Sequence, residues 1–156
     1  MVRSADLFFT TSGSLISKVI RFRTWGKYSH VQIIVDVEPK LTVISADEEG
    51  VTYRDVREEE FQTYSILTCH SLTEEMRHDI LDFCFQQIGK GYDFLGLADF
   101  LVNADLQDED RWYCSELAFE AYRQKGVPLL RRIDHAFVNP MDLYMSPILD
   151  ETEIKG

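Results

Sequence analysis

Two residues that lie far apart in the chain carry side chains that together could perform covalent catalysis. Cys114 lies at the start of a predicted helix that follows a polar loop. A helix N-terminus presents unpaired N–H groups and a partial positive charge, and both lower the pKa of a cysteine by stabilising its thiolate. His30 opens the most apolar predicted strand, where its imidazole could accept the thiol proton and later protonate a leaving group. The pair predicts a nucleophilic thiol activated by a base.

Each of these residues also has an ordinary structural interpretation. A free cysteine is often a small buried hydrophobe, and a lone histidine beside apolar residues is more often structural. Cys84, on the apolar face of a predicted helix, and Cys69, at a strand end, fit that interpretation better than Cys114 does. An odd cysteine count without a close pair predicts no disulfide framework, and no Cys/His cluster has zinc spacing. We therefore expect neither a metal nor a cofactor.

The composition narrows the class of protein. With 156 residues, of which 45% are hydrophobic, the chain is expected to form one domain over residues 1–156. Its 16 basic and 27 acidic residues give a net charge of −11, which disfavours binding to nucleic acid. Residues 1–28 contain five basic residues and one acidic residue, hence +4, and the remainder carries −15. This basic segment could meet an anionic ligand, lipid or partner, or be ordinary solvated surface.

The chain shows no sign of a targeting or membrane-spanning segment. No charged start followed by an apolar stretch has the form of a secretory signal, and no run approaches about 18 uncharged apolar residues. We therefore expect a cytoplasmic protein in a reducing compartment, without a membrane span.

The elements that must position Cys114 and His30 are strands followed by helices. Apolar or β-branched runs predict strands at residues 5–9, 30–37, 41–46, 51–56 and 63–69. Apolar residues at helical spacing predict helices at residues 14–23, 71–88, 93–103 and 113–125. Ser71 and Glu74 have the spacing of a capping box at the start of the helix at 71–88. In the C-terminal part, Pro140 and Pro147 are expected to interrupt regular secondary structure, so this part is predicted to be irregular. The pattern predicts an α+β fold, with an antiparallel sheet packed against helices.

Four short segments, taken in order, resemble one family. They are Ala5-Asp6-Leu7-Phe8-Phe9, Ser29-His30-Val31, Tyr92-Asp93 and Tyr113-Cys114-Ser115-Glu116-Leu117. Their order resembles the permuted NlpC-type papain-like hydrolases of the YiiX-like branch, in which the histidine strand precedes the cysteine helix. The resemblance covers about residues 5–147. It implies a papain-like, circularly permuted fold with an antiparallel sheet or small barrel packed against helices.

The resemblance also implies roles for particular side chains. Cys114 would be the nucleophile and His30 its base, and Tyr92 would lie near the nucleophile, where it helps to hold the oxyanion or substrate; a core tyrosine is the alternative. The third polar group, which orients the imidazole, is commonly a carboxylate in the family, but Ser45 stands at that position. A serine can orient the ring by a hydrogen bond but cannot supply a full charge. Asp47, two residues further along the same strand face, could substitute.

These observations leave two functions open. The first is a cysteine hydrolase, which could be an amidase, a peptidase or a related acyl hydrolase. It would act on a peptide-like or lipid-like acyl substrate and form an acyl-enzyme at Cys114. The second, suggested by Ser45, is a weak or inactive binding domain on the same scaffold that recognises a peptide or lipid-like ligand. A homodimer is also left open. A cysteine-based redox protein is disfavoured because no resolving cysteine lies at CxxC spacing.

Overall fold

The computed structural model describes residues 1–11, 15–56, 61–92, 111–131 and 138–155. Within these ranges the strands are β1 (Leu7–Thr11), β2 (His30–Asp36), β3 (Thr42–Asp47), β4 (Gly50–Asp55), β5 (Thr63–Thr68), β6 (Gly91–Tyr92), β7 (Arg111–Trp112) and β8 (Asp150–Lys155). The helices described there are α1 (Leu15–Thr24), α2 (Glu74–Gln87), α3 (Cys114–Arg123) and α4 (Pro140–Tyr144). The predicted helix at 93–103 and most of the predicted loop at 104–111 lie outside the described residues.

The described strands form two sheets. Six of them make an antiparallel sheet in the order β4-β3-β2-β1-β5-β8, and β6 pairs with β7 in parallel. The first strand of the chain, β1, is buried along its whole length because it lies in the middle of the larger sheet. At one edge, β8 has the sequence DETEIK, whose charges discourage further strand pairing.

The period-two alternation of side chains gives the sheet two different faces. One face carries the main core, in which Phe9, Val31 and Ile44 pack with apolar residues of α2 and α3. The opposite face carries a smaller apolar cluster of Phe8, Ile34, Val43 and Ile66. The predicted α+β architecture, with helices packed against an antiparallel sheet, is thus confirmed.

A buried ion pair that sequence reasoning did not find joins β1 to α2. Nη1 of Arg77 lies 2.7 Å from Oδ1 of Asp6, and both side chains are almost completely buried. The other carboxylate oxygen accepts from the Thr68 hydroxyl at 2.7 Å and from the Arg3 backbone N–H at 2.9 Å. Nη2 of Arg77 donates to the carbonyl of Cys69 at 3.2 Å. Each charge therefore makes several hydrogen bonds, which a buried pair requires, although Nε of Arg77 has no partner among the described residues.

The start of α2 differs from the predicted capping box. The helix begins at Glu74, and Thr73 caps it by accepting a hydrogen bond from the backbone N–H of Met76 at 3.2 Å. Ser71 lies too early to cap the helix, and its hydroxyl instead lies 3.1 Å from the sulfur of Cys69. The prediction of Ser71 as the N-cap was wrong because a turn through Leu72 precedes the helix.

The C-terminal part is more regular than predicted. Pro140 does not break structure but begins α4, where its missing N–H costs nothing, and Asn139 and Asp142 form a capping box around it. The last strand, β8, pairs with β5 over Tyr64 to Thr68. Among the described residues, no helix is long and apolar enough to cross a membrane.

Candidate active site

Cys114 is the first residue of α3 and lies at the edge of the main core. The preceding residue, Tyr113, has an extended backbone and serves as the N-cap. The Ser115 hydroxyl donates to the carbonyl of Val138 at 2.7 Å, which fixes the first turn of the helix beside the segment that leads into α4. The thiol of Cys114 is hydrogen-bonded to the backbone of Val31, the residue after His30. The fold therefore brings the two sequence-predicted residues to neighbouring positions.

Burial controls the ionisation of Cys114. Desolvation raises the pKa of the thiol to about 11, and backbone hydrogen bonds with Val31 and Ser115 lower it by less. The helix N-terminus lowers the pKa of Cys114, as predicted, but burial outweighs it, because only 4% of the residue is exposed and the anion would lose its hydration. At neutral pH the Cys114 side chain is therefore a neutral thiol.

His30 is the first residue of β2, and a chain of polar contacts that begins at Ser45 orients its imidazole. Nε2 of His30 lies 2.9 Å from Oγ of Ser45, and Ser45 donates to Oδ2 of Asp47 at 3.1 Å. The other carboxylate oxygen of Asp47 accepts from the backbone N–H of Glu49 at 3.1 Å in the β3–β4 turn. Nε of Arg54 lies 3.9 Å from Oδ2. The carboxylate is thereby fixed in an orientation that points one oxygen at Ser45.

These hydrogen bonds determine which nitrogen of His30 carries the proton. A carboxylate can only accept, so the single hydroxyl proton of Ser45 goes to Asp47. Oγ of Ser45 must then accept from His30, which places the ring proton on Nε2. Nδ1 is left as the unprotonated nitrogen and is the atom able to take a proton from a thiol.

The charge state of His30 follows from its surroundings. Burial lowers its pKa to about 4, against the attraction of the Asp47 carboxylate, which raises the pKa, while Arg54 lowers it further. The imidazole is therefore neutral at ordinary pH. Together with the neutral thiol of Cys114, this describes a resting pair without a thiolate–imidazolium ion pair.

His30, Cys114 and Tyr92 line a single cavity of about 190 Å³, which we call the site cavity. Ser45 is completely buried behind His30 and is not part of its lining. Side chains of α1 and of the neighbouring strands complete the wall, among them Ser17, Ile20, Gln32, Asp47 and Arg54. The cavity therefore combines apolar surface with several groups able to make hydrogen bonds.

Tyr92 reaches the site cavity because its strand is attached to the β3–β4 turn. The N–H of Val51 donates to the carbonyl of Lys90 at 2.9 Å. Gly50 in that turn has a φ of +93°, and a Cβ there would lie 2.5 Å from the same carbonyl, so glycine is required at this close approach. The turn that holds Asp47 also places Tyr92. Asp93, which follows Tyr92 in the segment that resembles the family, lies outside the described residues.

Gln32 and Arg54 were missed by sequence reasoning. Gln32 lies two residues after His30 and therefore on the same face of β2, which is the signal that could have identified it. It is 4% exposed, and its buried Oε1 has no hydrogen-bond partner among the described residues. Arg54 could not be found this way, because its contact with Asp47 depends on the register between β3 and β4.

The two remaining cysteines have the packing role expected of them. All three cysteines are free thiols. Cys69 and Cys84 are fully buried in the main core, and burial raises the pKa of Cys84 to about 12. Neither lines the site cavity.

A cysteine at a helix N-terminus that shares a cavity with a histidine on an earlier strand defines a papain-like protein with a permuted order. A family model described as permuted papain-like amidase enzyme, YaeF/YiiX, matches residues 2–143, and the chain belongs to this family. The crystal structure of metalloprotein YiiX from Escherichia coli O157:H7 has a TM-score of 0.79 at 20% identity, covering 98% of this chain and 97% of that one. This likeness establishes a shared papain-like fold. No curated protein was found to match the chain.

The Escherichia coli YiiX protein is a metalloprotein, so groups of side chains with metal-ligand spacing are of interest in this chain. Among the described residues, one such group consists of His78, Asp79 and Asp82 on α2. His78 and Asp82 are largely exposed and lie 3.3 Å apart as an i, i+4 pair. None of the three lines the site cavity. The group fits a solvated helix face, which commonly carries such acids without an ion.

Proposed function

We propose that the protein is a cysteine amidase that cleaves its substrate through an acyl-enzyme at Cys114, with His30 as the base. The observation that carries this proposal is the shared site cavity, in which the Ser45–Asp47 hydrogen bonds leave Nδ1 of His30 unprotonated. The family match supports amide hydrolysis as the class of reaction.

Acylation begins from the neutral pair. Nδ1 of His30 removes the proton of the Cys114 thiol as the sulfur attacks the carbonyl carbon of the amide. The carbonyl oxygen becomes an oxyanion, for which the backbone N–H of Cys114 and the Tyr92 hydroxyl are the proposed donors. The new imidazolium is stabilised by Asp47 through the Ser45 hydroxyl. The imidazolium then protonates the amide nitrogen, the C–N bond breaks, and an amine leaves a thioester on Cys114.

In deacylation, water is the nucleophile and the Cys114 sulfur is the leaving group. His30 removes a proton from water, the resulting hydroxide attacks the thioester carbonyl, and the second tetrahedral intermediate collapses. The sulfur leaves with the proton held on His30, which restores the neutral thiol, and a carboxylic acid is released. Because neither group is charged at rest, proton transfer accompanies each attack on the carbonyl.

A peptide-like substrate is the class we propose. The family description as an amidase supports an amide bond. The site cavity offers a carboxamide at Gln32 and hydroxyl groups at Ser17 and Ser29, which suit the alternating donors and acceptors of a peptide backbone. The cavity of about 190 Å³ accommodates one residue of a peptide rather than a long segment.

The test is hydrolysis of a panel of aminoacyl 7-amido-4-methylcoumarins, together with mass-spectrometric mapping of iodoacetamide adducts. We expect Cys114→Ala to lower hydrolysis more than about 10³-fold. We expect His30→Ala to lower it about 10²–10⁴-fold, the range of a lost general base. Cys84→Ala is the matched control, since it removes a thiol that does not line the site cavity.

The alternative of a binding domain makes the opposite prediction. If the Cys114→Ala and His30→Ala variants hydrolyse the panel as the wild-type protein does, the proposed nucleophile and base are wrong. The same conclusion follows if iodoacetamide modifies Cys114 at an equal rate with and without His30. A folded Cys114→Ala variant, checked by its melting temperature, is needed in each comparison.

A further inference from the structure

Two aromatic side chains at the end of α1 are exposed to an unusual degree. Phe22 is 80% exposed and Trp25 is 92% exposed. Their rings stack on each other, with centroids 6.3 Å apart and planes at 27°. Single exposed apolar residues are common on protein surfaces, but two adjacent aromatic rings with so little cover suggest an interaction surface.

The backbone of Trp25 supports this interpretation. Its φ is +53°, in the left-handed region where glycine is favoured and a bulky residue is an outlier. The residue directly follows α1, at the position where glycine commonly ends a helix. The Trp25 side chain makes this backbone conformation unfavourable, yet it is almost entirely exposed to solvent. Packing of the indole within the fold therefore does not explain why a tryptophan stands at this position.

The two faces of α1 have different roles. On the inner face, Ser17 and Ile20 line the site cavity, and the Ser17 hydroxyl lies 2.5 Å from that of Ser29. On the outer face, Lys18 is exposed one helical turn before Phe22. We call Lys18, Phe22, Trp25 and the exposed Lys27 the α1 outer face. Lys18 and Phe22 lie on the same helix as Ser17 and Ile20 of the cavity wall, on the side turned away from that wall, and Trp25 and Lys27 follow the helix.

The charge of the α1 outer face is opposite to that of the molecule. It contains two lysines and no acidic residue, hence +2, although the chain carries −11. Exposed lysines beside aromatic rings are the composition with which peripheral proteins meet anionic lipid headgroups. A second copy of the chain is a poorer occupant. Two aromatic side chains bury roughly 150–250 Å² each, well below the roughly 1,200 Å² of a stable interface.

We propose that the α1 outer face docks the protein on an anionic membrane surface. The rings of Phe22 and Trp25 enter the headgroup region, where aromatic residues are favoured, and Lys18 and Lys27 contact anionic headgroups. Because the same helix lines the site cavity, docking holds that cavity close to the bilayer. This proposal does not depend on Cys114 chemistry and can fail or hold independently of it.

The test is co-sedimentation of the full chain with phosphatidylcholine vesicles that contain or lack 30% phosphatidylglycerol. We expect binding to the anionic vesicles alone, weakening as salt is raised because the attraction is screened. Replacing both rings, Phe22→Ser with Trp25→Ser, is expected to weaken binding at least tenfold. The double charge change Lys18→Glu with Lys27→Glu is expected to do the same.

A matched control exists on another surface. Tyr53 and Phe85 are also exposed, at 50% and 42%, with ring centroids 5.9 Å apart. We expect Tyr53→Ser with Phe85→Ser to bind vesicles like the wild type. Trp25→Gly separates binding from folding, because glycine relieves the positive φ: its melting temperature should equal or exceed that of the wild type while vesicle binding falls.

Three results would overturn the proposal. The first is wild-type protein that fails to bind anionic vesicles or binds neutral ones equally well. The second is undiminished binding by the variants of the α1 outer face. The third is a concentration-dependent dimer in sedimentation velocity that the Phe22 and Trp25 substitutions abolish, which would assign the surface to a second copy of the chain.

Discussion

His30 and Asp47 are joined through one hydroxyl group. Oγ of Ser45 lies 2.9 Å from Nε2 of His30 and 3.1 Å from Oδ2 of Asp47. The residue that stands where the family commonly has a carboxylate is therefore a bridge to a carboxylate two residues away. The Ser45 hydroxyl orients the ring of His30 and selects its tautomer. The negative charge of Asp47 acts on the ring from a greater distance than a carboxylate at position 45 would.

Breaking the bridge at either residue should weaken the reaction. We expect Ser45→Ala and Asp47→Asn each to lower kcat/KM about tenfold to 100-fold, or about 1.4–2.7 kcal/mol of transition-state stabilisation. Because both act through one chain of hydrogen bonds, the double variant should be little worse than Ser45→Ala. Steady-state kinetics on the coumarin amides checks this. Independent, multiplicative effects would contradict a bridge.

The low pKa of His30 predicts the acidic limb of the pH profile. In the proposed mechanism, activity needs neutral His30, so it should persist as pH falls below 6.5 and decline only near pH 4. Since the Asp47 carboxylate raises this pKa, Asp47→Asn should move the acidic limb to lower pH. Measuring kcat/KM as a function of pH for the wild type and Asp47→Asn tests both expectations. An acidic limb near pH 6.5 would show that His30 is hydrated and its pKa unshifted.

The same shift predicts a change in stability with pH. A histidine whose folded pKa lies below its unfolded value binds protons more readily in the unfolded chain. Stability should therefore fall as pH decreases from about 6.5 to about 4, by an amount that His30→Gln removes. Melting temperatures of the two proteins between pH 4 and pH 7 test this. Parallel curves would argue against the burial of the imidazole.

The raised pKa of Cys114 predicts its reactivity with alkylating agents. A thiol whose pKa is about 11 should show an iodoacetamide rate that still rises between pH 8 and pH 10. His30→Ala should slow alkylation at neutral pH, because the base that removes the thiol proton is lost. A rate that levels off below pH 7 would indicate a resting thiolate and contradict the neutral pair.

The buried carboxylate of Asp6 predicts a large effect far from the site cavity. Arg77→Met leaves that charge without its partner and should destabilise the fold by about 3–5 kcal/mol. Adding Asp6→Asn to Arg77→Met should recover part of the lost stability, because the double variant no longer buries an unpaired carboxylate. Urea unfolding measures both. Arg3→Met, on a residue whose guanidinium lies 3.6 Å from the exposed Glu74, is the control and should change stability little.

Strands β1 to β5 could be predicted from local sequence, whereas β6 to β8 and the long-range contacts could not. Runs such as HVQIIVDV predict a buried strand from composition alone, and the order of His30 and Cys114 indicated a permuted site. The Asp6–Arg77 pair joins residues that are far apart in sequence and depends on the packing of α2 against β1. The net shift in the pKa of Cys114 could not be predicted, because the sequence shows its place at a helix N-terminus but not its burial. Pro140 was misjudged because proline both ends helices and begins them.

The buried, neutral thiol of Cys114 has a consequence for chemical durability. Oxidation by peroxide proceeds through the thiolate and requires access to the sulfur. Cys114 is only 4% exposed and carries its proton at neutral pH, so it offers little thiolate and little access. We therefore expect the Cys114 thiol to resist sulfenic acid formation until, in the proposed mechanism, a bound substrate and His30 remove its proton together. Such a thiol should survive peroxide concentrations that would oxidise a cysteine resting as a thiolate.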